Sequence, residues 1–436
     1  MKIEELYKRF KECNSVTTDS RNCPSGSVFF ALKGDNFNGN QFALSALQNG
    51  CRYAVVDEWK DNVPTPDNII LVDDVLKTLQ QLATHHRRKL KIPILGITGT
   101  NGKTTTKELV ATILAKEFKV AYTQGNLNNH IGVPLTLLSM NKYHEMGIVE
   151  MGANHPGEIK QLCEIVEPNF GLITNVGKAH LEGFGSFENV IKTKGELFDY
   201  IRGINGEVFV NKDNTYLYEM SEGMKRILYG KNNVSLFASG NIAVANPFLE
   251  FTWSFFDRSF YVKTHLVGEY NLDNVLAGVA VGKYFGINAE FISEALEEYE
   301  PKNNRSQFER TEKNDLILDA YNANPSSMKA SLEFFAQIPS DIPKAVILGE
   351  MRELGDAGKE EHEKILEFVR CCNFDKVFLI GAIFNTIELK KSSSSIIQFD
   401  NVSQLCDYFK NNPLKGYYVL LKGSNAVHLN RCVDYL

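Results

Sequence analysis

The sequence predicts an α/β protein of three domains. A small N-terminal α/β domain precedes a central domain built on a parallel sheet with an antiparallel flank, and a C-terminal domain carries a doubly wound sheet. Three observations predict it. The chain has 436 residues, which at roughly 100–200 residues per domain means two to four domains. Continuous apolar strands alternate with helix-period segments through most of it, the pattern of βαβ units. Two polar stretches, HHRRKLKIP at 85–93 and YEPKNNRSQFERTEKND at 299–315, interrupt that alternation. Cuts there give domains at 1–90, 91–308 and 309–436, each of ordinary size.

In the first segment, short strands (SVFFAL, YAVVD, NIILV) accompany a helix around 42–48. The second opens with IPILGIT, a continuous apolar strand. A helix follows from Lys103, with Leu109, Val110, Ile113 and Leu114 on one face. GIVEMGA and FGLITNVG are further buried strands, each followed by helical patterning. From about residue 234 to 266 the runs become short and alternating (FLEFTWSFF, FYVKTHLV), which marks the antiparallel flank. GEYNLDNVLAGVAVGKYFG is a helix burying Leu272, Val275, Leu276 and Val279. The last segment alternates LILDAY, KAVILGE, KVFLIGA and YYVLLKG with helices, a Rossmann-like arrangement. SSSS at 392–395 is a surface loop.

Composition narrows the function classes. With 47 Lys+Arg against 53 Asp+Glu, a net charge of −6, 43% hydrophobic and 23% charged residues, the chain is an ordinary globular protein. No apolar run approaches the ~20 residues of a bilayer span. MKIEELYKRF reads as an amphipathic helix rather than a signal peptide. Membrane insertion is therefore not expected, and a cytoplasmic location is. The bulk charge does not favour a nucleic-acid partner. HHRRKLKIP is short, lacks interleaved aromatics, and reads as a solvated helix end and linker. The eight cysteines form no C-x-x-C pair and read as reduced thiols. A monomer is the default expectation.

The most specific motif is GITGTNGKTTTKE at 96–108. A buried strand runs into a glycine turn, and Lys103 and Thr104 open a helix. Backbone N–H groups of such a turn cradle phosphate oxygens, the lysine reaches the terminal phosphates, and the threonine hydroxyl ligates Mg²⁺. The spacing is tighter than G-x-x-x-x-G-K-[ST]: Ile97 stands five residues before Gly102, and the useful glycine is Gly99. Gly99, Thr100, Asn101, Gly102, Lys103, Thr104 and Thr105 are thus the expected nucleoside-triphosphate contacts. Glu150 ends a parallel strand beside this loop, where a Mg²⁺ ligand should stand, although a strand-end acid also caps loops. His180 follows the next strand; taken alone, a histidine there is more often structural. Asn271 and Asn274 lie three apart at a helix start, where paired amides can serve as caps.

GTNGKTT resembles the phosphate loop of the Mur ligase superfamily, which includes the peptidoglycan-precursor amide ligases and the folylpolyglutamate synthetases. The resemblance extends over essentially the whole chain, most strongly in GNLNNHIGVP and DAYNANP. It implies ATP as substrate, with Lys103, His180 and Lys194 as catalytic residues. It implies Mg²⁺ held by Thr104, Glu150, His180 and Lys194, the last as a carbamate formed with CO2. Lys192, two positions earlier and on a different helix face, is the rival for that role. The resemblance further implies adenine contacts from Asn271 and Asn274, with Tyr270 in place of the family's usual histidine. Nucleotide contacts from Arg305, Asp319 and Asn322 are also implied; Asn304 replaces the glycine of the family's P-G-R turn, and Tyr321 stands beside Asn322.

TDSRNCPSGSVFFALKGDNFNGNQF at 18–42 resembles a uridine-binding domain of this family, so Ser20, Arg21 and Lys33 are expected at a uridine diphosphate. Asn128 and Asn129 are expected near the reactive end of the nucleotide-sugar peptide. LGEMRELGDAGKEEH, and LLKGSNAVHL with Asn425 for an arginine, resemble the branch that adds a dipeptide. The implied partners are UDP-N-acetylmuramoyl-tripeptide and D-alanyl-D-alanine. A sibling ligase adding one amino acid and a non-catalytic phosphate-loop switch are the alternatives.

Overall fold

The computed structural model describes residues 1–59, 65–302, 304–389 and 395–436. Of the expected serine loop, only Ser395 lies among them. The central sheet is organised around Ile94–Thr98, a strand buried at every residue. It pairs in parallel with Phe170–Ile173 on one side and Met146–Glu150 on the other. Beyond Met146–Glu150 lies Val120–Tyr122, an edge strand. The opposite side grows through Glu207–Asn211 and Lys225–Lys231, two strands the sequence reading did not separate, to Ala238–Ala245. The expected antiparallel flank follows as Ala238–Ala245, Phe248–Phe255 and Arg258–Val267. In Phe248–Phe255 the buried residues alternate, Leu249, Phe251 and Trp253. Such a period-two pattern covers one face only. The helices Leu272–Tyr284 and Ala289–Glu298 cover it.

The C-terminal sheet has six strands, in the order Gln307–Arg310, Asp315–Asp319, Tyr418–Lys422, Lys344–Gly349, Lys376–Ile380, Ile396–Phe399. All pairings are parallel except the first. That first strand lies within the polar stretch 299–315, so the chain joins this sheet two residues before the cut expected after 308. The N-terminal sheet is parallel and short: Val16–Thr17, Val28–Phe30, Tyr53–Val56 and Ile69–Leu71.

The helix Val75–Leu90 joins the first two units and corrects one expectation. Asp74 caps it by accepting a bond from the Lys77 N–H at 2.8 Å. Its Val75, Leu79, Leu82 and Ala83 are buried, and it packs against Ile3–Phe10, Gly132–Ser139 and Glu158–Val166. The basic end read as solvated is instead partly core, with His86 and Arg87 both buried. Arg87 donates to the carbonyls of Val166 (3.0 Å), Ile92 (2.8 Å) and Glu167 (3.1 Å), and to Asn169 Oδ1 (2.8 Å). A guanidinium carries five donors in a rigid fork, so carbonyls alone can satisfy it inside a protein. Arg87→Ala would strand those acceptors, and we expect a loss of about 3 kcal/mol in urea unfolding.

Candidate active site

Strands Ile94–Thr98, Met146–Glu150 and Phe170–Ile173 all end at the same edge of the central sheet, where open α/β sheets bind ligands. The loops there face the C-terminal domain across a cleft of about 940 Å³. One wall carries residues 100–105, Asn128, Asn129, Glu150, His180, Asn271 and Asn274; the other carries Arg305, Asp319, Asn322 and Lys422. Most of the expected site residues are thereby brought together.

Local packing dictates the phosphate-loop turn. Gly99 has φ +143°, and a Cβ there would lie 2.0 Å from Thr174 Oγ1. Gly102 has φ +76°, and its Cβ would lie 2.3 Å from Asn274 Oδ1. Only glycine satisfies both the angle and the space. The Thr100 and Asn101 N–H groups, expected to face phosphate, are taken by Asn175: its carbonyl at 3.0 Å and its Oδ1 at 2.9 Å. Thr174 Oγ1 donates to the Asn101 carbonyl at 2.6 Å. Thr174 and Asn175, just past the neighbouring strand Phe170–Ile173, therefore hold the loop's shape, and the start of the helix Lys103–Leu114 faces the cleft.

Lys103 Nζ turns back and donates to the carbonyls of Gly99 (2.7 Å) and Thr100 (3.0 Å). Burial lowers its pKa from the ordinary lysine value; Glu150 opposes the shift and Arg305 adds to it. The Thr104 hydroxyl donates to Glu150 Oε2 at 2.9 Å, and Asn128 Nδ2 donates to Oε1 at 2.8 Å. Glu150 is 1% exposed. A hydroxyl that gives its proton to a carboxylate keeps lone pairs free for a cation. This pair is an all-oxygen donor set of the kind magnesium takes when substrate phosphates supply the rest. Among the described residues no cluster of three or more His, Cys, Asp and Glu could hold a metal.

His180 has φ +51° and its Nδ1 meets the carboxylate of Glu353, which reaches over from the C-terminal domain. That contact holds the Glu353 carboxyl below its usual range. Lys194 is 2% exposed, donates to the Ala153 carbonyl at 3.4 Å and lies over the Phe184 ring. Burial, reinforced by Lys103, pushes its pKa down to about 7. Lys192 is exposed.

Asn271 stands at the N-cap position of the helix Leu272–Tyr284, but its side chain makes no capping bond. Asn271 Nδ2 donates to the Val267 carbonyl at 2.8 Å, Asn274 Nδ2 to Asn271 Oδ1 at 2.9 Å, and Thr106 to Asn274 Oδ1 at 3.1 Å. Asn129 Oδ1 accepts from the Gly132 N–H at 2.9 Å, at the start of the helix Gly132–Ser139. Asn304 takes φ +56°, the conformation a glycine would favour, and Arg305 stacks 3.7 Å over the Tyr321 ring. Asp319 is bound to Lys422 Nζ (2.9 Å) and Ser331 Oγ (2.8 Å), and Lys422 also donates to the Asn322 carbonyl (2.7 Å).

Ser20, Arg21 and Lys33 do not line the cleft. Arg21 pairs with Asp19 at 2.9 Å, and Lys33 with Asp57 and Glu58 at 2.9 and 2.7 Å. They sit on the N-terminal domain. Sequence reasoning missed Asn175, Glu353 and Lys422. It also read Asn324 only as a helix start; Asn324 Oδ1 does cap its helix, while its Nδ2 donates to Asn101 Oδ1 at 2.7 Å. No local pattern marks these partners, because each contact joins residues far apart in the chain, and those of Glu353 and Asn324 also cross from the C-terminal domain to the central one.

Three family descriptions match in order along the chain: "Mur ligase family, catalytic domain" at 12–87, "Mur ligase middle domain" at 97–282 and "Mur ligase, glutamate ligase domain" at 304–425. The UDP-N-acetylmuramoyl-tripeptide--D-alanyl-D-alanine ligase of Bacillus subtilis is 30% identical over 97% of this chain and 93% of its own length. The crystal structure of MurF from Acinetobacter baumannii superposes with a TM-score of 0.87 at 26% identity, covering 99% of this chain and 97% of the other. That of MurF from Thermotoga maritima, in complex with ADP, gives 0.84 at 28% identity, covering 98% and 97%. By sequence along its length and by the architecture of all three units, the chain belongs to the Mur ligase family.

Proposed function

We propose that the protein is an ATP-dependent ligase that joins D-alanyl-D-alanine to UDP-N-acetylmuramoyl-tripeptide, releasing ADP and phosphate. The observation that carries this is the cleft itself. A phosphate-loop lysine and the Thr104–Glu150 pair line one wall, and the Arg305, Asp319 and Asn322 group of a second domain lines the other. Relatives bearing that activity in their names match nearly the whole chain.

The tripeptide's terminal carboxylate oxygen attacks the γ-phosphorus of ATP, and the bond to the β-phosphate oxygen breaks. The amine of D-alanyl-D-alanine then attacks the acyl phosphate carbon. The C–N bond forms, inorganic phosphate leaves with the C–O bond pair, and the nitrogen loses a proton. Lys103 is positioned to exchange its loop carbonyls for phosphate oxygens and to hold charge on the transferring group. Asn271 and Asn274, the latter bonded to Thr106 behind the loop, would contact adenine, and Arg305 would reach the nucleotide from the C-terminal wall of the cleft. Thr104 and Glu150 would hold one Mg²⁺, and His180 with a carbamylated Lys194 would hold a second; when bound, the ions would supply neutralising charge for the crowded phosphate oxygens. A buried lysine whose pKa is about 7 supplies the neutral amine that CO2 requires. Asn128, tied to Glu150, and Asn129 lie where the peptide's reactive end would enter, and Ser20, Arg21 and Lys33 receive the uridine diphosphate. A nucleotide-linked substrate and ATP consumption support a cytoplasmic location.

The test is phosphate release across UDP-sugar peptides with and without D-alanyl-D-alanine. Release is expected only when tripeptide and dipeptide are both present, with a product carrying both. Turnover restricted to a shorter precursor and a single amino acid would overturn the assignment.

A further inference from the structure

Lys107 is completely buried on the helix that begins at Lys103, one turn further on. Its Nζ makes no hydrogen bond among the described residues. Its nearest charges are Glu108 Oε1 at 3.6 Å and Glu150 Oε2 at 4.0 Å, and it lies 5.6 Å from the Tyr122 ring centre. An ammonium buried without hydrogen bonds is costly, and an apolar residue of similar shape would fill the space more cheaply. What compensates Lys107 is charge alone. Glu108 is partly exposed and already accepts from the Tyr299 hydroxyl at 2.7 Å. Glu150, by contrast, is buried, and among the described residues its oxygens accept hydrogen bonds only from the neutral donors Thr104 and Asn128, with Lys103 acting on it through space.

We propose that Lys107 is a positioning residue that sits behind Glu150 as its counter-charge and holds the carboxylate aimed at the nucleotide-bound cation. The proposal rests on the reading of Glu150 as a Mg²⁺ ligand. Partners of metal ligands fix ligand direction without touching the metal, and their loss costs about ten- to a hundred-fold in metal affinity or activity.

The test measures Mg²⁺ binding to the ADP-loaded enzyme by calorimetry, together with thermal unfolding, in Lys107→Met, Lys107→Gln, Lys107→Met/Glu108→Gln and Glu150→Gln. Lys107→Met is expected to weaken Mg²⁺ binding about ten-fold, measured well below its Tm, and to lower Tm, because buried Glu150 is left without its counter-charge. Lys107→Gln, which is polar and close in length, is expected to show the same loss of Mg²⁺ binding in a folded protein if methionine packs poorly. The double variant is expected to stay defective, since Lys107 serves Glu150; recovery in it would assign the lysine to Glu108 and overturn the proposal. So would Mg²⁺ binding within about two-fold of wild type in both Lys107 single variants. If Glu150→Gln binds Mg²⁺ normally, the ligand assignment beneath the proposal fails, whereas a defect there with normal Lys107 variants overturns the proposal alone.

Discussion

Lys103→Met is expected to lower kcat by about a thousand-fold, the scale of losing one preorganised charge at a transition state. The ammonium sits at the start of a helix, within hydrogen-bonding distance of the loop carbonyls of Gly99 and Thr100. Those carbonyls are weaker partners than phosphate oxygens, so the lysine's interaction grows as charge shifts onto the transferred group. Methionine preserves the stem and removes only that growth. ATP affinity, measured by calorimetry, is therefore expected to change far less than single-turnover ADP formation. A variant with kcat within about ten-fold of wild type would remove Lys103 from the phosphoryl-transfer step.

Lys194→Arg should reduce turnover at least about a hundred-fold and leave the fold intact. Arginine keeps a positive charge but cannot take up CO2. In wild type the neutral amine nitrogen would bond to the CO2 carbon and lose one N–H proton to solvent, leaving an oxygen anion; starting from the ammonium, two protons leave. Because burial holds this amine near pH 7, isotope-labelled bicarbonate should give a protein-bound carbamate signal in NMR. That signal should grow between about pH 6 and pH 8 and be missing from Lys194→Arg. Near-normal turnover in the variant would rule the carbamate out. Stability carries the same sign. With CO2 excluded, the cost of burying the charged lysine is fully present below the folded pKa. It is relieved as pH rises toward the unfolded value, so wild-type stability should climb across that window.

The two variants probe residues of different legibility. Lys103 was readable because strand, turn and helix start are contiguous, and a local backbone conformation specifies its chemistry. Lys194 was one of several lysines in a helix, and only packing separates it from exposed Lys192. Arg87 shows the reverse error. A run of basic residues suggested solvent, yet carbonyls from the helix Glu158–Val166 and the loop after it enclose the guanidinium.

By itself the sequence determined the α/β class, the antiparallel flank and the glycine turn at 99–102. Periodicity and backbone conformation are local properties, written in neighbouring residues. Only the tertiary structure decided that Asn175 holds the loop, that Asn324 and Glu353 cross from the C-terminal domain to Asn101 and His180, and that Lys107 stands behind Glu150. Those contacts join residues from about forty to more than two hundred positions apart. Their energies depend on burial and on the direction of a hydrogen bond or charge, which only the assembled sheets define.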